Sequence, residues 1–205
     1  MTFYHGSPIS GIKELGTRST THDKTKSYAV YLTPNRAYAL FYIRDLEINH
    51  VTCCVTTEGY IRYYEQFPDQ LKKLYQGING YLYICNQESH FEKTNTLDVW
   101  VSRIPALVER VEYIADVYDE ILKYENVGSV KVVRYETLTD ERKQEIYEMM
   151  VYSIYKNNRT LKDTKKSAFY SDNFPEAWQY VVEHPEDRQI KIDDWEKKKQ
   201  SPAHH

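Results

Sequence analysis

Alternating apolar and polar residues predict several strands in the first 135 residues. Between residues 48 and 57, Val51, Cys53 and Val55 alternate with three polar or smaller side chains, as in a strand whose two faces differ. The breaker cluster Gly6-Ser7-Pro8 ends a short strand at residues 3–6. Further strands are predicted at residues 28–32, 60–65, 81–85, 99–101, 107–114 and 130–135.

Helical spacing appears in a smaller set of segments. Pro34 suits a first helical position, so a helix is predicted at 34–43 with Thr33 as its N-cap. Apolar residues at helical spacing predict helices at 71–78 and 114–122. Thr139, with acids directly behind it, predicts a helix that runs to about Tyr155, and 175–182 is a short helix candidate. The polar segments 16–26 and 86–98 are predicted to be loops.

These elements predict an α+β fold, with a mixed or antiparallel sheet core and flanking helices. The chain is expected to divide into a catalytic domain at 1–136 and a helical or irregular extension at 137–205. A net charge of −3 gives no general attraction to nucleic acid or to an acidic membrane. The chain has neither a signal pattern nor a long apolar run, and its three cysteines lack metal-ligand spacing, so a reduced, cytoplasmic protein without a membrane partner is expected.

One group of residues near the amino terminus is a candidate functional site. The strand that carries Tyr4-His5-Gly6 is followed by Tyr31, Thr33, Asn35, Ala39 and Tyr42. This order and spacing resembles the diphtheria-toxin-like and PARP-like ADP-ribosyltransferases of the His-Tyr-Glu group. The later layout is similar to that of the rifampicin ADP-ribosyltransferases. The resemblance implies a sheet core of ADP-ribosyltransferase type and a bacterial or phage origin.

The resemblance implies that NAD is the substrate. His5 would bind a ribose hydroxyl, the Gly6 backbone would pair with the carboxamide, and the rings of Tyr31 and Tyr42 would clamp nicotinamide. The implied NAD-binding residues are therefore His5, Gly6, Ser7, Tyr31, Thr33 and Tyr42. One or more of Arg18, Arg36, Arg44 and Arg62 would meet the pyrophosphate.

The catalytic carboxylate has two candidates. Glu65 ends a strand before Phe67-Pro68, as in the rifampicin-modifying group, whereas Glu112 lies in a Val-Glu-Tyr-Ile string similar to the toxins' catalytic strand. Neither has the second acid that the toxins often carry two positions earlier. With His5, one of the two would stabilise the ribosyl cation.

The expected function is transfer of ADP-ribose from NAD to an unknown acceptor, which is a protein, a nucleic acid or a small molecule. No metal is required. Three alternatives stay open: an NAD glycohydrolase, a non-catalytic module of the same fold that binds a nucleotide or a partner, and an RNA-directed relative guided by the basic run at 156–166.

Overall fold

The computed structural model describes residues 1–20, 27–48, 50–86, 88–162 and 164–200. It divides the chain into two units. Unit 1 consists of Met1–Glu65 and Asp69–Val133, and unit 2 of Gln66–Pro68 and Arg134–His205. The main change of unit therefore follows residue 133, close to the predicted boundary at 136.

Unit 1 contains the strands and three helices. The helices are α1 (Arg36–Leu40), α2 (Gln70–Tyr75) and α3 (Val117–Asn126). The strands are β1 (Thr2–Ser7), β2 (Glu14–Leu15), β3 (Ser19–Thr20), β4 (Tyr28–Leu32), β5 (Cys53–Val55), β6 (Ile61–Tyr64), β7 (Gly80–Asn86), β8 (Phe91–Lys93), β9 (Trp100–Ser102), β10 (Ala106–Leu107), β11 (Arg110–Ile114) and β12 (Val130–Val133).

The strands form four sheets, in the orders β1-β7-β11, β3-β4-β9-β8, β12-β6-β5 and β10-β2. The pairing of β12 with β6 is parallel, and the other pairings are antiparallel. The architecture is thus α+β with mixed and antiparallel sheets, as the hydrophobic pattern predicted.

Within the described residues, one isolated bridge joins the two sheets that carry the predicted site. The Tyr4 N–H donates to the Thr33 carbonyl at 2.8 Å, and the Thr33 N–H donates back to the Tyr4 carbonyl at 3.1 Å. This bridge sets β1 beside β4 at one point.

Apolar residues fill both sides of these sheets. On the side of α1, Leu40, Leu82 and Ile121 belong to one buried cluster. On the opposite side, Phe3, Leu32, Tyr83 and Phe91 belong to a second cluster. The two clusters fix which residues of β1 and β4 face α1.

Several predicted segments differ from the structure. The helix expected at 34–43 covers only Arg36–Leu40, and its N-cap is Asn35, whose side chain accepts from the Tyr38 N–H. The strand expected at 48–57 is restricted to β5, and the strand expected at 107–114 is divided between β10 and β11.

Two expected loops contain strands. The loop at 86–98 contains β8, because pairing with β9 supplies the hydrogen bonds that its weak alternation did not predict. The loop at 16–26 contains β3, which pairs with β4, and its residues 21–26 lie outside the described residues.

Unit 2 is helical. It contains α4 (Asp140–Lys156), α5 (Lys165–Asn173), α6 (Pro175–Glu183) and α7 (Arg188–Gln200), with short 3₁₀ turns at Tyr135–Thr137, Arg159–Leu161 and Pro185–Asp187. The predicted cap of α4 is confirmed, since the Thr139 side chain accepts from the Arg142 N–H. In the described part of the chain, the helices are too short or too polar to cross a bilayer.

Candidate functional site

Gly6 is a buried residue whose backbone groups face the gap between β1 and β4. Backbone groups of successive strand residues point to opposite edges, and those of Tyr4 point to β4, where they bind Thr33. The N–H and C=O of Gly6, two residues on, therefore point to the same edge. Among the described residues, no backbone hydrogen bond joins Gly6 to β4, so this donor and acceptor lie side by side without a strand partner.

Helix α1 lies directly over Gly6. A Cβ atom built on Gly6 would lie 2.0 Å from the carbonyl oxygen of Ala39 and 3.1 Å from Ile43 Cγ1. Only glycine permits this approach, which brings the end of α1 and the following Tyr42 to the open edge.

Tyr31 and Tyr42 lie on one side of the sheets. Tyr4 and Thr33 face each other across the bridge, and Tyr4 packs against the cluster on the α1 side. Because side chains alternate along a strand, the Tyr31 side chain also lies on the α1 face, as would a Cβ atom at Gly6. The Tyr31 hydroxyl donates to the Thr20 carbonyl at 3.4 Å. Tyr42 follows α1 and is partly exposed, and its hydroxyl donates to that of Tyr38 at 3.2 Å. Burial raises the pKa of the Tyr42 phenol, and nearby Tyr31 adds to this effect.

His5 is held from the other face. Its Nδ1–H donates to the Tyr31 carbonyl at 2.9 Å, so the second nitrogen, Nε2, is the acceptor of a neutral ring. Burial lowers the pKa of His5 and outweighs this hydrogen bond. A neutral imidazole whose Nδ1 is already bound can accept a hydrogen bond from a hydroxyl through Nε2.

Ser7 and Thr33 have local partners. The Ser7 hydroxyl accepts from the Ile9 N–H at 3.2 Å, and the Thr33 hydroxyl accepts from the Asn35 N–H at 3.1 Å. Both residues are buried. They shape the turns that follow β1 and β4.

Glu65 is placed at the start of a helix. It is 2 % exposed, and its Oε1 accepts from the Leu71 N–H at 3.0 Å, in the first turn of α2. Asp69, the N-cap residue of α2, makes no capping bond with its side chain. Glu65 therefore satisfies a helix N–H that would otherwise lack a partner. Its strand, β6, belongs to a different sheet from β1 and β4.

Glu112 is placed in an ion-pair network. Arg36 binds both of its carboxylate oxygens, with Nη2–Oε1 at 2.5 Å and Nε–Oε2 at 3.2 Å. Nη1 of the same arginine donates to Glu120 at 2.9 Å and to the Tyr124 hydroxyl at 2.7 Å. These contacts raise the pKa of Arg36 and tie the start of α1 to β11 and α3.

A third carboxylate, Glu92, shares a face with Tyr31. Tyr31 pairs with Val101, and Val101 pairs with Glu92, so the three side chains lie in one row on the α1 face. Two strand spacings place the Glu92 and Tyr31 Cα atoms roughly 10 Å apart. The Glu92 side chain is 59 % exposed and contacts Arg103 at 3.4 Å. The sequence pattern does not indicate Glu92, because the polar segment that contains β8 predicts a loop.

Asp98 is a further acid near the motif. It precedes β9, has φ of 54°, and its Oδ2 accepts from Asn35 Nδ2 at 3.3 Å. This contact holds the N-cap of α1, at the end of the helix away from Tyr42.

The four predicted pyrophosphate ligands lie in different places. Arg36 is occupied by the ion-pair network, Arg62 lies on the outer face of β6, and Arg18 is exposed before β3. Arg44 follows Tyr42 by two residues, its charge offsets part of the effect of burial on the pKa of that phenol, and its Nη1 donates to the Ile48 carbonyl at 2.6 Å. Of the four arginines, Arg44 is therefore the one whose charge acts on Tyr42.

A cavity of about 540 Å³ lies elsewhere, in unit 2. Its lining includes Phe67, Tyr135, Lys143, Phe174 and Glu176, and contains none of the predicted site residues. The candidate site is therefore the unpaired edge of β1 at Gly6, together with its flanking side chains, rather than this cavity.

Comparison with known proteins adds no relative. No family model matches the chain, and neither the curated proteins nor the solved structures give a match.

Proposed function

We propose that the chain is an NAD-dependent ADP-ribosyltransferase whose site is the gap between β1 and β4. One observation carries this proposal: Gly6 offers an adjacent backbone N–H and C=O at an edge flanked by Tyr31 and Tyr42. A primary amide has the complementary acceptor and donor, and a flat cationic ring suits a position between two phenol rings. Nicotinamide, as it occurs in NAD, has both features.

The remaining residues suit the rest of NAD. His5 Nε2 accepts a hydrogen bond from a ribose hydroxyl, and Arg44, whose charge acts on Tyr42, binds the pyrophosphate. In the reaction the nicotinamide–ribose C–N bond breaks, and nicotinamide leaves with the electron pair. A nucleophile of the acceptor bonds to the ribose carbon and loses its proton to water.

Glu92 is the carboxylate that we assign to the ribosyl cation. It is accessible and shares the Tyr31 face, whereas Glu65 is buried at α2 and Glu112 is bound by Arg36. A carboxylate near the ribose stabilises the positive charge that grows as the C–N bond stretches.

The test measures the release of nicotinamide from NAD at high protein concentration, with chromatography as the detection method. Replacing a group that stabilises transition-state charge costs about 10²–10³-fold in rate, so Glu92→Gln should lose about that much. The exposed Glu47→Gln serves as the matched control and should keep activity within a few-fold. An inactive wild-type chain, or a Glu92→Gln variant as active as Glu47→Gln, contradicts the assignment.

A second candidate function is a binding module without turnover. The structural contacts of Glu65 and Glu112 favour it, because both acids chosen from the sequence already have partners. Calorimetric titration separates the two functions: heat of NAD binding without nicotinamide release supports the module. Loss of that heat in Tyr31→Ala and Tyr42→Ala would place the bound NAD at the same edge.

A further inference from the structure

The outer face of the β12-β6-β5 sheet carries tyrosines and cations. Ile61 and Tyr63 of β6 point into the core, so Tyr60, Arg62 and Tyr64 point outward. Arg62 pairs with Cys54 on β5 and with Lys131 on β12, which places these three side chains in one row. We call Cys54, Tyr60, Arg62, Tyr64 and Lys131 the β6 outer face.

Arg62 is held in a fixed orientation on this face. Its Nη1 donates to the Tyr64 hydroxyl at 3.1 Å, and its Nη2 donates to the Tyr60 hydroxyl at 2.9 Å. The Lys131 ammonium lies 3.8 Å from the centre of the Tyr60 ring. The two cations are thus positioned by tyrosines rather than neutralised by acids.

The two cations of this face could bind an anion. Within the described residues, neither Arg62 nor Lys131 forms an ion pair with a carboxylate. Glu58, in the turn between β5 and β6, is close enough for the charge of Arg62 to lower its pKa, but is not bonded to it. Like charges on neighbouring strands repel each other, and a bound anion would offset this cost.

We propose that the β6 outer face binds single-stranded nucleic acid. Arginine and lysine bind phosphates, while tyrosine and guanidinium planes stack on unpaired bases, and proteins that bind single strands combine these features on exposed sheets. This binding is separate from the proposed transferase activity and does not depend on it.

In the experiment, a short fluorescein-labelled single-stranded RNA or DNA is titrated with the whole chain. Binding is measured as fluorescence anisotropy at several salt concentrations. Removing two phosphate contacts to a single strand reduces the slope of log K against log salt by about 1.4. The double variant Arg62→Gln/Lys131→Gln should show this reduction and an affinity loss on the order of tenfold. Lys13→Gln/Lys72→Gln makes the same charge change at exposed sites elsewhere in unit 1 and should keep the wild-type slope.

Further variants exclude unfolding and general charge effects. The exchange Arg62→Lys/Lys131→Arg keeps both charges and should keep most of the slope, and circular dichroism reports whether each variant is folded. No binding by the wild-type chain at low salt, or equal slopes for the two charge-removing variants, overturns the proposal. Binding to polyglutamate without binding to the oligonucleotides also overturns it, in favour of an acidic protein.

Nicotinamide release from NAD without an acceptor, measured on the same proteins, separates the two proposals. Release that persists in Arg62→Gln/Lys131→Gln together with a reduced salt slope supports both. A reduced slope without release by the wild-type chain leaves the binding face supported and the transferase contradicted. Nicotinamide release by the wild-type chain, together with equal salt slopes for the wild type and Arg62→Gln/Lys131→Gln, supports the transferase and contradicts the binding face.

Discussion

At the residue scale, Gly6 combines a packing requirement with an open strand edge. Its missing side chain lets the Ala39 carbonyl approach, and its backbone groups face the gap beside β4. The packing requirement can be tested without any assumption about NAD.

The substitution Gly6→Ala should destabilise the chain. The added Cβ would lie 2.0 Å from a backbone oxygen, so α1 would have to move. Overpacking of this kind costs about 1–3 kcal/mol or more, measured as the free energy of unfolding in urea. Gly16→Ala is the control, since its Cβ would meet Arg18 Nε at 3.5 Å and cause no clash. Equal stability of the two variants would mean that α1 does not press on β1.

Sequence spacing indicates only those candidate residues that form a local pattern. His5, Gly6, Tyr31 and Tyr42 form such a pattern, and in the structure three of them surround one strand edge, with His5 bonded to the Tyr31 backbone. Glu92, the carboxylate of our proposal, has no such pattern. Its relation to Tyr31 passes through two strand pairings, and these are fixed by register rather than by sequence distance.

At the element scale, α1 is too short to be stable alone, and contacts at its amino-terminal end stabilise it. It has five residues, whereas isolated helices in water need roughly 12–15. Asn35 caps its first turn, and Arg36 ties it to Glu112, Glu120 and Tyr124. The position of Tyr42 beside the open edge depends on these attachments.

Replacing Arg36 by Met should therefore loosen α1. Glu112 and Glu120 would lose their shared cation, and because Arg36 is only 22 % exposed, we expect a loss of about 2 kcal/mol in the free energy of unfolding. Arg36→Lys should recover only part of it, because one ammonium cannot bind both carboxylates and the Tyr124 hydroxyl. Adding Glu112→Gln to Arg36→Met should restore some stability, and a double-mutant cycle measures this coupling. An unchanged denaturation midpoint in Arg36→Met would contradict the role of the network.

Periodic helices were the most predictable elements. The amphipathic pattern located α3 and α4 to within a few residues, and the Thr139 cap was found from its residue type and the acids behind it. Short elements such as α1, β5 and β8 were not delimited, because their ends depend on tertiary pairing and capping rather than on a repeated pattern.

At the scale of the whole molecule, the units are not continuous in sequence. The change after Val133 coincides with the end of the last strand, which the sequence indicated. The inclusion of Gln66–Pro68 in unit 2 was not predictable, since Phe67-Pro68 only indicated the end of a strand. Its physical cause is a long-range aromatic cluster.

Phe67 is fully buried in unit 2, between two aromatic rings far along the chain. Its ring centre lies 5.3 Å from that of Phe174 and 5.8 Å from that of Phe169, in edge-to-face geometry at both contacts. Truncating a buried Phe to Ala typically costs about 3–5 kcal/mol, so Phe67→Ala should weaken unit 2 by an amount of that order. Hydrogen exchange should accelerate in α5, which contains Phe169, and in α6, which begins directly after Phe174.

The matched control is Phe91→Ala, which removes a buried ring that contacts Phe3 at 5.3 Å within unit 1. It should accelerate exchange in β1 and β8 and leave α5 and α6 at their wild-type rates. If Phe67→Ala instead accelerates exchange in β1 and β7 and spares α5 and α6, Phe67 belongs energetically to unit 1. The three-residue segment would then be a turn of the sheet domain, as the sequence alone suggested, because local chain connectivity would outweigh the aromatic contacts.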